Sequence, residues 1–225
     1  MRKGEWGFTL VEIAMVLIVI ALIIGAVLKG QDLIKNANAK RFASFIRNAE
    51  IAQWTFFERF GRFAGDGDND GQIEYRTRAN GRDLEEPSTA LQAELRDFDE
   101  SITIGGSTFW IRFGYYRDTS EPILCIFRTP GTVDRNNPDH AFTADDITLA
   151  RNFDVIEDGE AQARQGRVVG LRRTIQVAGT AISFNGNRGL GLPNGKIPTR
   201  DDWVFGEASG RDTRGLLYFF DRGGL

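Results

Sequence analysis

Hydrophobic and polar positions divide the chain into a continuous apolar block, a periodic segment and a mixed remainder. From Phe8 to Leu28 the residues are almost all apolar, with one charged side chain, Glu12, and no proline. Twenty-one residues at a rise of about 1.5 Å each give a helix of roughly 30 Å, which is the hydrocarbon thickness of a bilayer. The block therefore predicts a membrane-spanning helix.

After Gly30 the apolar residues recur mainly at three- and four-residue steps, as they do on one face of an amphipathic helix. They are Ile34, Ala37, Phe42, Phe45, Ile46, Ala49, Ala52, Phe56, Phe57 and Phe60. No proline interrupts this pattern, so we expect one helix from about Phe8 to Phe60, closed by Gly61 and Gly65. The apolar face of its second half should pack on a domain.

Strand patterns are better marked than helices in the rest of the chain. The predicted strands are Ser101–Ile104 and Thr108–Tyr116, joined by Gly105 and Gly106, then Pro122–Arg128 with Cys125 in its core, Val168–Val177 and Leu216–Phe220. In the second of these strands, Phe109, Ile111 and Phe113 alternate with Trp110 and Arg112, which predicts an apolar and a polar face.

One later helix is also predicted, because Thr143 and Asp146 have the spacing of a capping box, and it should run through about Glu157. The fold class we expect is therefore α+β. A long N-terminal helix, of which half is transmembrane, should pack on an antiparallel β-sheet domain.

Composition excludes several classes of function. The net charge is −3 with a pI near 5.4, so no overall positive field exists to hold nucleic acid or anionic lipid, and such binding would need a local basic patch. A single cysteine, Cys125, excludes an intrachain disulfide and a thiolate-rich zinc site, and a single histidine, His140, excludes a histidine-rich metal centre. These two residues could form a dyad, but no nucleophile signature surrounds either of them. We therefore expect no enzyme activity and no organic cofactor.

Seven residues, MRKGEWG, precede the apolar block and carry Arg2 and Lys3. They are like the charged start of a secretory signal, but the apolar block then continues into a polar helix without a small-residue cleavage site. The junction between the leader and the block reads GFTLVE, from Gly7 to Glu12.

This run resembles the cleavage and methylation motif of type IV prepilins and type II secretion pseudopilins. The resemblance implies that a prepilin peptidase cuts after Gly7 and that Phe8 becomes the N-methylated first residue. It also implies that Glu12 meets the terminal amine of a neighbouring subunit during assembly. The implied location is the bacterial inner membrane, crossed once with the C-terminal domain in the periplasm, and afterwards a pilus or pseudopilus.

The expected organisation has three parts. Residues 1–7 are the leader, residues 8–30 the transmembrane and filament-core helix, and residues 31–225 a periplasmic or extracellular pilin-like domain that includes the second half of the helix. A weaker resemblance lies in residues 152–168, NFDVIEDGEAQARQGRV. It is similar to an Asp-Asp-Gly sequence and a later Gly-x-Val in longer pilin-like proteins, with Glu157 in place of the first aspartate.

The charge of Glu12 suggests a partner independently of the family. A charged side chain costs roughly 2.5 to 3.5 kcal/mol at the centre of a membrane helix, and somewhat less near an end. A terminal ammonium would compensate for this cost. In the alternative interpretation, the chain is a single-pass anchor whose glutamate stays hydrated near the membrane surface.

An acidic loop directly follows the predicted long helix, with three aspartates at alternate positions. The candidate calcium ligands are Asp66, Asp68, Asp70, Gln72 and Glu74. Their spacing matches the first part of an EF-hand loop, with Gly71 at the turn and Ile73 packed inward. The twelfth position is Thr77 instead of glutamate, so another ligand is needed. We expect a structural calcium ion; the alternative is a solvated turn without metal.

The function that these patterns favour is that of a structural subunit, a pilin or pseudopilin, as either a major or a minor subunit. Its partners would be prepilin peptidase, other pilin or pseudopilin subunits and the inner membrane, without specific nucleic acid. The alternative is a binding module at a filament tip or tethered to the membrane, acting in adhesion, exoprotein binding or DNA binding. An anchored periplasmic enzyme is a third class, for which spacing alone shows no acid–base pair.

Overall fold

The computed structural model describes residues 9–66, 69, 73, 95, 99–116, 121–131, 133, 137–161, 166–171, 176–178, 181–183, 203 and 212–220. The chain forms two compact units, Met1–Asn38 and Ala39–Leu225.

Helix α1 spans Leu10–Phe60 without interruption, which confirms the predicted long helix. Its last turn closes where the backbone N–H of Gly61 donates to the carbonyl of Phe57 at 2.7 Å. Gly61 has a φ of 72°, the left-handed conformation that glycine adopts at helix ends. The predicted end of the helix is therefore confirmed.

In the described residues of the second unit, seven strands form one sheet. They are β1 Ser101–Ile104, β2 Ser107–Tyr116, β3 Glu121–Phe127, β4 Val168–Leu171, β5 Gln176–Ala178, β6 Ala181–Ser183 and β7 Gly215–Phe219. The order is β4-β7-β3-β2-β6-β5, and β1 also pairs with β2. Strands β1, β2, β3, β7 and β4 form an antiparallel sheet, so the predicted α+β layout is confirmed. The contact of β2 with β6 is parallel and was not predicted.

Two strand predictions have different outcomes. The hairpin of β1 and β2 is confirmed, with Ile104 opposite Ser107 and with positive φ angles at Gly105 and Gly106 in the turn. The single strand predicted from Val168 to Val177 is wrong. Its two ends belong to β4 and β5, which pair with β7 and β6 at opposite sides of the sheet.

The second half of α1 packs on one face of the sheet. Phe42 is fully buried, with its ring centroid 5.0 Å from that of Phe109 on β2 and 5.7 Å from that of Phe153. The buried positions of α1 are Ala39, Phe42, Ala43, Phe45, Ile46, Ala49, Gln53 and Phe56. The predicted apolar face is confirmed between Phe42 and Phe56, whereas Ile34 and Phe60 are exposed.

Helix α2 spans Ala144–Asp158, as the capping signal predicted. The Thr143 hydroxyl accepts from the backbone N–H of Asp146, and the Asp146 carboxylate accepts from the backbone N–H of Thr143 at 2.8 Å. Arg128 also lies 3.3 Å from this carboxylate. The helix ends at Gly159 in the left-handed conformation.

A second buried apolar cluster lies on the opposite face of strands β3, β4 and β7. Its apolar residues are Ile123, Cys125, Phe127, Val133, Val169, Leu171, Leu217 and Phe219. Cys125 is buried as predicted, and burial raises the pKa of its thiol well above the usual value. The predicted polar face of β2 is wrong at Arg112, which is only 3% exposed.

Arg112 keeps its charge in this environment through contacts with neighbouring groups. It donates to the carbonyls of Ile111 and Pro130, lies over the ring of Trp110 and approaches Glu100 at 3.4 Å. Burial nevertheless lowers the pKa of its guanidinium, in part offset by Glu100. Alternation of residue types along a strand shows which side chains share a face, but it does not show whether the second face is covered.

Candidate functional site

The N-terminal half of α1 presents its apolar side chains to the surroundings. Large apolar residues between Leu10 and Leu28 are 46% to 91% exposed. In the described part of the chain, α1 is the one helix that is long and apolar enough to cross a membrane, judged by length and composition, and none of its most apolar stretch is buried. A core helix of a soluble protein would have most of this stretch buried. An exposed apolar surface of this extent is typical of a site that contacts a membrane or another protein.

Glu12 lies at the start of this apolar surface and forms a capping box with Thr9. Its carboxylate accepts from the backbone N–H of Thr9 at 2.8 Å and from the Thr9 hydroxyl at 2.9 Å. The hydroxyl in turn accepts from the backbone N–H of Glu12 at 3.3 Å. Our sequence analysis missed the role of Thr9, although the Thr-x-x-Glu spacing within GFTLVE is the signature of this motif.

The pairing of Glu12 with a neighbouring chain stays a prediction. Gly7 and Phe8, the predicted processing residues, lie outside the described residues. In the isolated chain, the Glu12 carboxylate is held by the beginning of its own helix.

In the second unit, a set of polar side chains fixes α1 to the sheet and to α2. We call it the Arg167 cluster, and it consists of Arg47, Glu50, Glu157, Arg167 and Tyr218. Arg167 lies 2.9 Å from Glu50 and 3.7 Å from Glu157, and its guanidinium carbon is 4.7 Å from the Tyr218 ring centroid. Arg47 lies 2.8 Å from Glu157, and Tyr218 donates to Glu50 at 2.7 Å.

Each charge of the Arg167 cluster faces an opposite charge. The Glu157 side chain is only 4% exposed, and it lies between the guanidinium groups of Arg47 and Arg167. Burial raises the pKa of Tyr218 well above its usual value, and the hydrogen bond to Glu50 raises it further. The phenol therefore stays a proton donor to Glu50, and the cluster positions the second half of α1 on the domain.

The backbone that leads into the acidic loop is also fixed by buried contacts. Gln53 is fully buried; its amide oxygen accepts from the N–H of Ala64 at 3.0 Å and its amide nitrogen donates to the Ala64 carbonyl at 3.3 Å. Arg62 donates to the carbonyl of Asp66 at 3.0 Å. Sequence analysis missed Gln53, because a glutamine in an apolar helix face gives no signal of its own.

Only part of the predicted calcium loop can be located. Asp66 is 1% exposed and Ile73 is fully buried, which agrees with the inward direction predicted for Ile73. The other predicted ligands, Asp68, Asp70, Gln72 and Glu74, lie outside the described residues. Among the residues that are described, no group of three or more acidic, histidine or cysteine side chains could hold a metal ion. The calcium site stays a prediction.

In the segment with the weaker family resemblance, the described residues on its two sides, 152–161 and 166–168, are joined by hydrogen bonds. Asp158, the last residue of α2, accepts from the backbone N–H groups of Arg167 and Val168, both at 3.0 Å. Gly166 has a φ of 84°, and a Cβ atom there would collide with the carboxylate of Asp158. The carboxylate thus fills the space that the glycine leaves, and it joins the end of α2 to the start of β4.

No protein-family model, curated protein or solved structure matches this chain. Its function must therefore be inferred from its own residues and their arrangement.

Proposed function

We propose that this chain is a structural subunit, a pilin or pseudopilin, of a type IV pilus or of a type II secretion pseudopilus. The observation that carries the proposal is the unburied apolar half of α1, whose first residues, Leu10 to Glu12, are the end of the GFTLVE run. A helix that is apolar on all sides is stable in lipid or among similar helices, but not in water. A subunit that moves from a membrane into a filament core needs both environments.

Proteolytic processing would allow the helix to move from the membrane into the filament core. In this proposal a prepilin peptidase cuts after Gly7, which removes Arg2 and Lys3 and leaves an amine on Phe8. The new ammonium of one copy then compensates for the charge of Glu12 on its neighbour. Opposite charges gain most where water is excluded, so this pair would set the axial position of neighbouring copies.

The second unit would stay outside the membrane, in the periplasm before assembly and on the filament afterwards. The Arg167 cluster supports this role, because its ion pairs and the Tyr218 hydrogen bond fix the second half of α1 to the sheet. Because α1 is attached rigidly to the sheet, a force on the domain would be transmitted to α1, the helix through which the subunit assembles.

A structural calcium ion belongs to this proposal. Asp66, Asp68, Asp70, Gln72 and Glu74 would hold it, since oxygen ligands at alternate positions suit calcium. Asp66 and Ile73 fit such a loop, because both are buried. The ion would neutralise clustered carboxylates and stabilise the domain on which neighbouring subunits pack.

Mass spectrometry of the N-terminal peptide, from protein recovered in its native membrane, tests the proposal. We expect a peptide that begins with methylated Phe8, and one that begins with Met1 when prepilin peptidase is deleted. A peptide that begins with Met1 in the presence of the peptidase would contradict the proposal and would leave an ordinary anchored protein.

Crosslinking in intact cells distinguishes the kinds of subunit. A major subunit should give a ladder of homo-oligomers, whereas a minor subunit at a filament tip should give discrete complexes with other proteins. The absence of both from cells that make filaments would also contradict the proposal.

A further inference from the structure

We propose that Lys29 and Lys35 form a binding site for the anionic headgroups of phospholipids, which holds α1 at a fixed depth in the membrane. The inference rests on the membrane placement in the proposed function and adds a ligand to it. Both lysines lie in the first unit: Lys29 directly follows the continuous apolar block that ends at Leu28, and Lys35 lies six residues further along the helix.

Neither cation has a partner among the residues that the structure describes. Both side chains are exposed, and no ion pair or hydrogen bond joins either one to another described residue. Arg47 and Arg167 in the second unit, in contrast, are each paired with glutamates. An unpaired cation beside an apolar surface is suited to a phosphate at the edge of a bilayer.

Lys29 and Lys35 also lie close enough to the apolar block along α1 to reach the headgroup layer. The headgroup layer is about 5 to 8 Å thick on each side of a hydrocarbon core of about 30 Å. With Leu28 at the edge of the core, the backbone of Lys29 lies roughly 1.5 Å beyond the edge and that of Lys35 roughly 10 Å beyond it. A lysine side chain can bend back toward the membrane by several Å, so both ammonium groups reach the headgroup layer. Lys40, roughly 18 Å beyond the edge, does not.

Removal of the leader would leave the membrane-spanning helix with few other basic side chains that could contact headgroups. Arg2 and Lys3 lie in the segment that the peptidase would remove, and no lysine or arginine occurs from Phe8 to Leu28. Lys29 and Lys35 would then be the side-chain cations that keep the C-terminal end of the membrane-spanning stretch in place. Transfer into a filament would have to break their contacts with lipid.

One negative charge in the same region weakens the site. Asp32 stands three residues from each lysine, and it forms no ion pair with either of them in the described residues. Its short side chain stays near the helix surface, so its main effect is to reduce the local positive potential. Replacement of Asp32 by asparagine should therefore strengthen the binding of anionic lipid.

The test uses the full chain reconstituted in phosphatidylcholine vesicles at low ionic strength. Electron paramagnetic resonance then compares how strongly the protein restricts spin-labelled phosphatidylglycerol and spin-labelled phosphatidylcholine. We expect a preference for phosphatidylglycerol that falls by up to about fivefold in Lys29→Gln and in Lys35→Gln, and disappears in the double variant. Asp32→Asn should raise the preference, and high salt should reduce it.

Lys40→Gln is the matched control, because it removes an exposed lysine of the same helix that lies beyond the headgroup layer; it should leave the preference unchanged. Equal preference for the two lipids in the unmodified chain, or a preference that survives the double variant, would overturn the inference. So would an equal loss in Lys40→Gln, which would indicate a general attraction. If the chain does not stay with neutral vesicles after an alkaline wash, the membrane placement and the proposed function fail too.

Discussion

Tyr218 and Glu50 join two parts of the chain that lie 168 residues apart, through a hydrogen bond of 2.7 Å from the phenol to the carboxylate. Tyr218 is on β7 and Glu50 is in the second half of α1. The same carboxylate accepts from Arg167 at 2.9 Å, so a single glutamate connects the helix with two strand ends. Through these two hydrogen bonds, the polar residue Glu50 fixes the position of the apolar face of α1.

We expect Tyr218→Phe to lower the stability of the protein by roughly 1.5 to 3 kcal/mol, the usual range for a hydrogen bond to a charged group. The measurement is thermal unfolding of the full chain in detergent, followed by circular dichroism. Glu50→Gln and the double variant complete a mutant cycle. If the two single losses simply add, the hydrogen bond makes no contribution of its own.

The same tyrosine predicts a dependence on alkaline pH. Its pKa is raised in the folded protein above the usual value of 10.0, because burial and Glu50 disfavour the phenolate. Below that value the phenol is neutral in both states and its contribution to stability is complete. Above it, the unfolded chain loses the proton first, so stability falls as the pH rises. We expect the unmodified protein to lose stability above about pH 10 more steeply than Tyr218→Phe; equal slopes would contradict this origin.

Gly166 and Gly106 provide a matched pair for the contact between α2 and β4. Their φ angles are 84° and 86°, but a Cβ atom at Gly106 meets no atom within 4 Å, whereas one at Gly166 meets the Asp158 carboxylate. Gly106→Ala should cost about 1 to 2 kcal/mol of backbone strain. Gly166→Ala should cost roughly 1 to 3 kcal/mol more, because the carboxylate must leave two backbone N–H groups.

Chemical denaturation of the two alanine variants measures this difference. In an Asp158→Ala background the extra cost of Gly166→Ala should disappear, since the obstructing carboxylate is absent. Equal losses in Gly106→Ala and Gly166→Ala in the original background would show that the carboxylate moves without cost.

Elements with a local signal could be predicted from the sequence. The capping pair of Thr143 and Asp146 and the glycines at 105 and 106 fix α2 and the hairpin through neighbouring residues. The long range contacts could not be predicted: Arg167 lies 117 residues from Glu50, and neither has a sequence pattern that identifies the other. For the same reason Arg112 was placed on a polar face, because what covers a strand depends on distant parts of the chain.

Residues of the candidate site likewise fall into those with a local sequence signal and those without one. Glu12 and the apolar block can be recognised from composition, and α1 includes Glu12 and the block from Leu10 onward. The capping role of Thr9 was equally local and was missed only because the run was interpreted as a processing motif. Gln53, by contrast, is recognisable only after Ala64 has been placed beside it.

The calcium loop predicts a stabilisation that depends on three aspartates. At a calcium concentration about 100 times the dissociation constant, the full chain should gain about 2.7 kcal/mol, or roughly 5 to 10 °C in melting temperature. Replacing Asp66, Asp68 and Asp70 by asparagine should abolish this rise. Asp99→Asn is the control, since Asp99 is an exposed acid outside the loop. A melting temperature that calcium never changes would remove the metal site.

Glu12 supports two roles that one pair of substitutions can separate. At position N3 of the capping box, Glu12 needs only an oxygen that accepts from the backbone N–H and the hydroxyl of Thr9, which glutamine also provides. As the partner of a neighbouring ammonium it needs a negative charge, which glutamine lacks. We therefore expect Glu12→Gln and Glu12→Ala to insert normally into the membrane and to be equally defective in filament incorporation.

The measurement compares the fraction of each variant in purified filaments with the fraction in the membrane. Thr9→Ala is the complementary variant, because it removes the hydroxyl of the capping box and retains the charge of Glu12. It should incorporate better than either Glu12 variant if charge pairing controls assembly. Undiminished incorporation of Glu12→Ala would exclude the pairing role, and normal incorporation of Glu12→Gln alone would assign Glu12 to the helix cap.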